Sequence, residues 1–204
     1  RALRTAGMYG DGLCSVFNEQ IPVLTYNLEQ VRKGAQMANR ELINYQTTTL
    51  TNAVILRAGE KLTDDAIVEK AGSWAVTALH FVYEIWRYTK EDSVVPEYMR
   101  SIWEEYCDHV DNFPLPKEKA HQLIHEGHCS FYTDGEKKFV TPEMIEGTTL
   151  VGSAAEIAEK ISEAGKHGLS EVSLLPPLHN IREAAKEFAE EASISYKEGL
   201  HGLL

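Results

Sequence analysis

Basic charge is scarce in this sequence. Its 20 Lys and Arg are set against 31 Asp and Glu, giving a formal net charge of -11 over 204 residues. That balance argues against a nucleic-acid partner, because phosphate backbones need clustered cations. Cysteine is scarce too. Cys14, Cys107 and Cys129 are an odd set without disulfide-like spacing, which fits a reducing cytoplasm. No apolar run approaches the roughly 20 residues of a membrane-spanning helix, and no signal peptide shows at the N-terminus, so no membrane partner is expected. The nucleophile elbow Gly-x-Ser-x-Gly, the P-loop and Gly-x-Gly-x-x-Gly are all missing. There is no Pro- or Ser-rich linker either, and the chain reads as one unit over residues 1–204.

What is present alternates between strand and helix. Residues 1–9 read as a helix, Gly10-Asp11-Gly12 as the turn that ends it, and the β-prone stretch 13–17 as a strand. Asn27 with Gln30 three residues on resembles an N-cap, opening a helix expected to run to about residue 45. The stretch 48–57, rich in Thr, Val and Ile and bounded by Gly59, predicts a second strand. Thr63, Asp64 and Asp65 cap the longest helix. Its stripe of Ile67, Ala71, Trp74, Ala78, Val82, Ile85 and Trp86 predicts a buried face rather than a cofactor-stacking one.

Pro96 opens a helix through Trp103 and Tyr106, residues 115–124 predict another, and Pro142 starts a short turn. Ser153 and Glu156 form a capping box for a helix ending at Gly168; a strand over 170–177 stops at two prolines, and a helix over 181–192 follows. The alternation predicts an α/β fold around a parallel sheet. Three strands are too few for a parallel sheet covered on both faces. The chain is therefore expected either to pair with strands elsewhere or to be part of a larger barrel, its N-terminal strands missing.

The densest reactive cluster is His121, His125, Glu126, His128 and Cys129, with Cys107 and His109 upstream. Zinc binding is its sharpest reading, since imidazole and thiolate suit a tetrahedral site. The metalloprotease spacing is absent, because His125 and His128 are three apart and Gly127 interrupts them. Structural or substrate-facing histidines are the preferred reading, with no metal assigned. In (β/α)8 enzymes ligand groups sit at the carboxyl ends of strands. That rule nominates residues 15–18, 57–60 and 176–180, with His179 and Arg182 as candidate contacts to an anionic ligand.

Several segments resemble a known family. "ALRTAGMYGDGL" is similar to the helix-turn-strand segment of bacterial luciferase-like oxidoreductases, and "TLVGSAAEIAEKISEAGKHGLSEVSLLPP" resembles their closing signature. The stretch between, "VVPEYMRSIWEEY…LIHEGHCSFY…KKFVTPEMIEGTTLVG", resembles the deazaflavin-dependent branch related to methylenetetrahydromethanopterin reductase. The resemblance implies the C-terminal part, about three βα units, of a TIM (β/α)8 barrel with a helical insertion before the last unit. It implies FMN or coenzyme F420 as cofactor, with hydride transfer or monooxygenation of a small organic substrate. On the matching positions it implies Gly10, Asp11, Gly12, Ser15 and Val16 as cofactor contacts, and it leaves His125, His128, His179 and Arg182 as substrate candidates. The basic residues of the sugar-phosphate-oxidising branch are replaced here by Glu19 and Gly147. The earlier strands, which would supply most cofactor contacts, would precede Arg1, and this span alone is expected to be inactive.

Two other classes remain open at this level. One is a non-catalytic half-barrel that self-associates or binds a ligand, since open edges of a parallel sheet invite pairing. The other is a metal-binding protein built on the His/Cys cluster. A homo-oligomer, or association with the rest of a barrel, is expected in either barrel reading.

Overall fold

The computed structural model describes residues 1–192. Along the chain the elements are α1 (Ala2–Tyr9), β1 (Gly12–Val16), α2 (Ile21–Met37), β2 (Gln46–Thr51), β3 (Ala53–Ile55), α3 (Asp65–Thr89), α4 (Arg100–Asp111), α5 (His121–Ile124), α6 (Pro142–Thr148), β4 (Leu150–Gly152), α7 (Ala154–Lys166), β5 (Glu171–Leu174) and α8 (Ile181–Glu187). A π turn at Phe188–Ala192 continues α8. Residues 193–204, the end of the span that reads as one unit in sequence, lie outside the described residues.

Two compact units divide the chain. One holds Arg1–Thr51, Gly152–Leu175 and the described residues from Ala185; the other holds Asn52–Val151 and Pro176–Ala184. In the first unit β1, β2 and β5 form a parallel sheet in that order. Ser15 stands opposite Thr49 and Thr49 opposite Val172, while Val16 stands opposite Leu50 and Leu50 opposite Ser173. Side chains alternate along a strand, so Ser15, Thr49 and Val172 share one face and Val16, Leu50 and Ser173 the other. Leu24 and Leu28 of α2 and Ala164 of α7, joined by Leu169, pack on the Val172 face. On the opposite face Cys14 is exposed, and Val16, Thr48, Leu50 and Ser173 are only partly buried. Within the first unit, the described helices α2 and α7 pack on the Val172 face.

α1 and α2 meet backbone to backbone. A Cβ added at Gly7 would fall 1.9 Å from the Val31 carbonyl oxygen, and one at Gly34 would fall 2.0 Å from that of Arg4. α2 starts at Ile21, with Pro22 in its first turn, rather than at Asn27. Asn27 is buried inside the helix because its side chain has a tertiary partner, Asn18, which outweighs the cap preference. The helix ends at Met37 instead of near residue 45.

The single strand expected over 48–57 is two strands in different sheets, β2 and β3. The break falls at Asn52, fully buried, whose Nδ2 donates to the Lys70 carbonyl at 2.8 Å. β3 pairs with β4, a three-residue strand that sequence reading misses. In the second unit α3 buries Ile67, Ala71, Trp74, Ala78 and Val82, and Trp74 Nε1 donates to the Thr148 carbonyl at 2.7 Å. Ile85, at the end of that stripe, is 36% exposed. The helix expected over 115–124 shrinks to a 3-10 turn and the four-residue α5, whereas the turn after Thr141 extends into α6. The capping box of α7 forms as expected, Ser153 Oγ accepting from the Glu156 N–H at 3.3 Å and Glu156 Oε2 from the Ser153 N–H at 2.7 Å. Among the described residues no barrel closes and no helix is long and apolar enough to cross a membrane.

Candidate functional site

The carboxyl end of β1 is held by a left-handed residue and two buried polar side chains. Phe17, the next residue, has φ 59°, a left-handed conformation that a bulky side chain adopts only when its surroundings impose it. Its neighbours impose it here. Asn18 is fully buried, with Nδ2 donating to the Thr48 carbonyl at 3.0 Å and Oδ1 accepting from Asn27 Nδ2 at 2.8 Å. Glu19 is buried as well; its carboxylate accepts from the hydroxyls of Thr49 and, at 2.9 Å, Thr51. The Gln20 N–H closes the turn onto the Phe17 carbonyl at 3.0 Å. Burial raises the Glu19 carboxyl above its ordinary range, and the bonds from Thr49, its own backbone N–H and Thr51 offset this only in part.

The expected cofactor residues do not share one location. Gly10, Asp11 and Gly12 lie at the amino end of β1, whereas Ser15 and Val16 end it. The corner has structural work: Asp11 Oδ1 accepts from Arg40 Nη2 at 2.7 Å, and the Gly10 N–H bonds the Ala6 carbonyl at 2.8 Å. Ser15 and Val16 point to opposite faces, Ser15 to the helix-covered side and Val16 to the open side.

Residues 57–60, nominated as the end of the second strand, follow β3 instead and close on themselves, the Arg57 N–H bonding Glu60 Oε2 at 2.6 Å. His179 lies in a 3-10 turn and Arg182 in the first turn of α8; both are exposed, and both belong to the second unit.

His125 and His128 do come together, on exposed turns after α5, with their Nδ1 atoms 3.3 Å apart. His121 and Cys129 take other places. Cys129 has φ 63°, and its N–H donates to Thr77 Oγ1 on α3 at 2.9 Å. That bond lays the 127–129 turn on the helix one turn before His80. Burial lowers the basicity of the His125 imidazole, and His80 and His128 add to the effect. His109 and Cys107 do not join this cluster: His109 packs against Phe113 and Phe139 rings, and burial pushes the Cys107 thiol up to about 11.

Sequence reasoning misses His80 and Glu136. His80, 2% exposed, places Nε2 at 2.7 Å from Glu136 Oε1, and Glu136 Oε2 accepts from the Thr133 N–H at 2.8 Å and the Thr133 hydroxyl at 2.7 Å. Burial alone would raise the Glu136 carboxyl, yet the bonds from His80 and Thr133 outweigh it and hold the group below its ordinary range. The available signal is a lone histidine on the buried face of α3, since its acidic partner lies 56 positions away.

A flavin or deazaflavin needs an apolar bed with hydroxyls or amides at the ring edge, and cations for its phosphates. The open face offers the first through Val16, Leu50, Thr48 and Ser173, none of them basic. These side chains suit an uncharged ring, and none of the four can pair with a phosphate.

No protein-family model matches the chain, and no curated protein does. Among solved structures, the chain is similar to the coenzyme F420-dependent tetrahydromethanopterin reductase of Methanopyrus kandleri, at 18% identity and a TM-score of 0.40, over 84% of this chain and 41% of that one. The chain thus spans less than half the length of that structure.

Proposed function

We propose that this chain supplies three consecutive βα units of a luciferase-like (β/α)8 oxidoreductase, using coenzyme F420 or FMN on a small organic substrate. One observation carries the reading: β1, β2 and β5 run parallel in chain order, with helices on one face and a partly exposed other face. In a (β/α)8 barrel the helices lie outside and the opposite strand face lines the interior. Parallel sheets are covered on both faces; the remaining strands of such a barrel would supply the missing cover. The family segments at residues 2–13 and 149–177 fall on α1–β1 and on β4–α7–β5, and α1–β1 and α7–β5 are helix-to-strand joints that such a barrel would use.

The cofactor, when bound, supplies the hydride or electron chemistry. The chain's own residues have narrower duties. Val16 and Leu50 would bed the ring and exclude water, and Thr48 and Ser173 would offer hydroxyls to its edge. Asn18 and Glu19 hold the left-handed Phe17 turn that sets the rim. Among the described residues the outer edges of β1 and β5 carry no further strand, which also favours a second reading, a half-barrel that pairs with another copy of itself.

The test is binding. The protein encoded by the whole reading frame that contains these residues is titrated with F420 and with FMN, following cofactor fluorescence. Saturable quenching by one of them, weakened at least about tenfold (~1.4 kcal/mol) by Val16→Trp, is expected. Lack of binding by either cofactor, or binding indifferent to that substitution, overturns the proposal. A dimer of the 204-residue chain by light scattering, in the absence of cofactor binding, would favour the half-barrel.

A further inference from the structure

His80 carries an unexplained atom. Its Nε2 is engaged by Glu136, while Nδ1 is buried without a hydrogen-bond partner. Buried polar atoms are nearly always satisfied, and an orphan calls for a ligand, a water or an ion. The neighbours of this one are informative: a ring nitrogen from each of His80, His125 and His128 lies within 4.8 Å of the others.

We propose that His80, His125 and His128 form a binding site for a divalent first-row transition-metal ion, zinc foremost, held through three imidazole nitrogens with a fourth position open to solvent. This inference does not depend on the cofactor reading.

The geometry supports three separate points. First, tetrahedral ligands roughly 2.0–2.1 Å from zinc stand about 3.3 Å from one another, and the His125 and His128 Nδ1 atoms are 3.3 Å apart. A ring nitrogen of His80 lies within 4.8 Å of both, and the two exposed imidazoles can adjust to an ion by turning about their own side-chain bonds. Second, Glu136 accepts from Nε2–H of His80, which fixes the tautomer and leaves the Nδ1 lone pair as the ligand. A metal-bound histidine commonly has such a carboxylate behind it, and the partner orients the ring and raises its basicity. Glu136 is itself held by the two Thr133 bonds, so the chain Thr133–Glu136–His80 is assembled before any ion arrives. Third, the Cys129 N–H to Thr77 bond docks the turn that carries His128 onto α3, one turn before His80.

Imidazole sets suit zinc, copper, iron and nickel rather than calcium or magnesium. Three histidines with exposed approach leave room for a water or a substrate oxygen as fourth ligand, the arrangement of catalytic rather than structural zinc. Cys129, the nearest thiol in sequence, engages Thr77 through both its backbone N–H and its side chain and is not one of the three ligands.

The experiment uses the 204-residue chain stripped with a chelator and then titrated with Co(II), read by its visible d–d bands, and with Zn(II) in competition with a chromophoric chelator. One ion per chain at micromolar or tighter affinity is expected. His125→Asn and His128→Asn, both at exposed positions and checked for folding by circular dichroism, should each weaken binding at least tenfold. His167→Asn, an exposed histidine of the other unit, should leave it unchanged. Uptake only at millimolar metal, tetrahedral bands that persist in the His128 variant, or equal loss in the His167 variant would overturn the site.

Discussion

Thr51 Oγ1 donates to Glu19 Oε1 at 2.9 Å, tying the turn after β1 to the last residue of β2 beneath the helices. The carboxyl so held is pushed upward by its burial. A raised folded-state value means that the native chain binds more protons than the unfolded one from the ordinary 4.5 upward. Stability therefore falls as pH rises through that window. Glu19→Gln keeps an acceptor for one threonine and removes the titration. Urea midpoints measured from acidic to neutral pH should show the wild-type chain losing stability relative to the variant as pH increases. Parallel curves would show that Glu19 does not titrate differently in the fold.

The α1–α2 crossing makes a sharper mutational prediction. Gly7 and Gly34 each lie against a carbonyl oxygen of the opposing helix, so even a methyl group forces the helices apart. Alanine normally stabilises a helix interior by roughly 0.5–1 kcal/mol over glycine; overpacking typically costs about 1–3 kcal/mol and sometimes more. Gly34→Ala should therefore destabilise the chain by at least about 1 kcal/mol, against the propensity trend. Gly165, with open space around it, should follow the propensity trend instead. Equal effects at the two sites in urea titrations would contradict the close crossing.

These contrasts show which parts of the fold were legible. Where the signal is local, the sequence reads well: Ser153 and Glu156 satisfy each other across one turn, and Pro176 and Pro177 stop β5 because they cannot continue a ladder. Where a side chain answers to a distant partner, it misleads. Asn27 has the character of a cap but bonds Asn18, and Asn52 interrupts a β-prone run because it bonds Lys70. In the histidine cluster, His125 and His128 were visible as candidates, whereas His80 was hidden in an apolar stripe. His121 and Cys129 shared the composition of the cluster without sharing its geometry.

Glu136 should matter to the fold independently of any ion. Removing its carboxylate leaves the buried His80 Nε2 unpartnered, at about 1–3 kcal/mol, and the part-buried Thr133 groups without their acceptor at a smaller cost. Glu136→Ala, unfolded by urea in the presence of EDTA, should lose at least about 2 kcal/mol. Glu136→Gln, which retains an acceptor oxygen, should lose less. If the alanine variant matched the wild-type chain, the Thr133–Glu136–His80 chain would have no part in holding the turn.

Cys14 offers a probe of the open sheet face. It is exposed, whereas burial raises the thiols of Cys129 and Cys107, the latter to about 11. The thiolate is the reacting form. An aromatic disulfide reagent at pH 8 should therefore titrate one thiol of the 204-residue chain rapidly and the other two slowly, and Cys14→Ser should abolish the fast phase. Cys14 lies on the same sheet face as Val16 and Thr48. If that face lines the interior of a barrel, peptide-level mass spectrometry of the protein from the whole reading frame should find Cys14 labelled at least tenfold more slowly. Labelling at the same rate in both would mean that no further strands cover the face, and the barrel reading would fall with it.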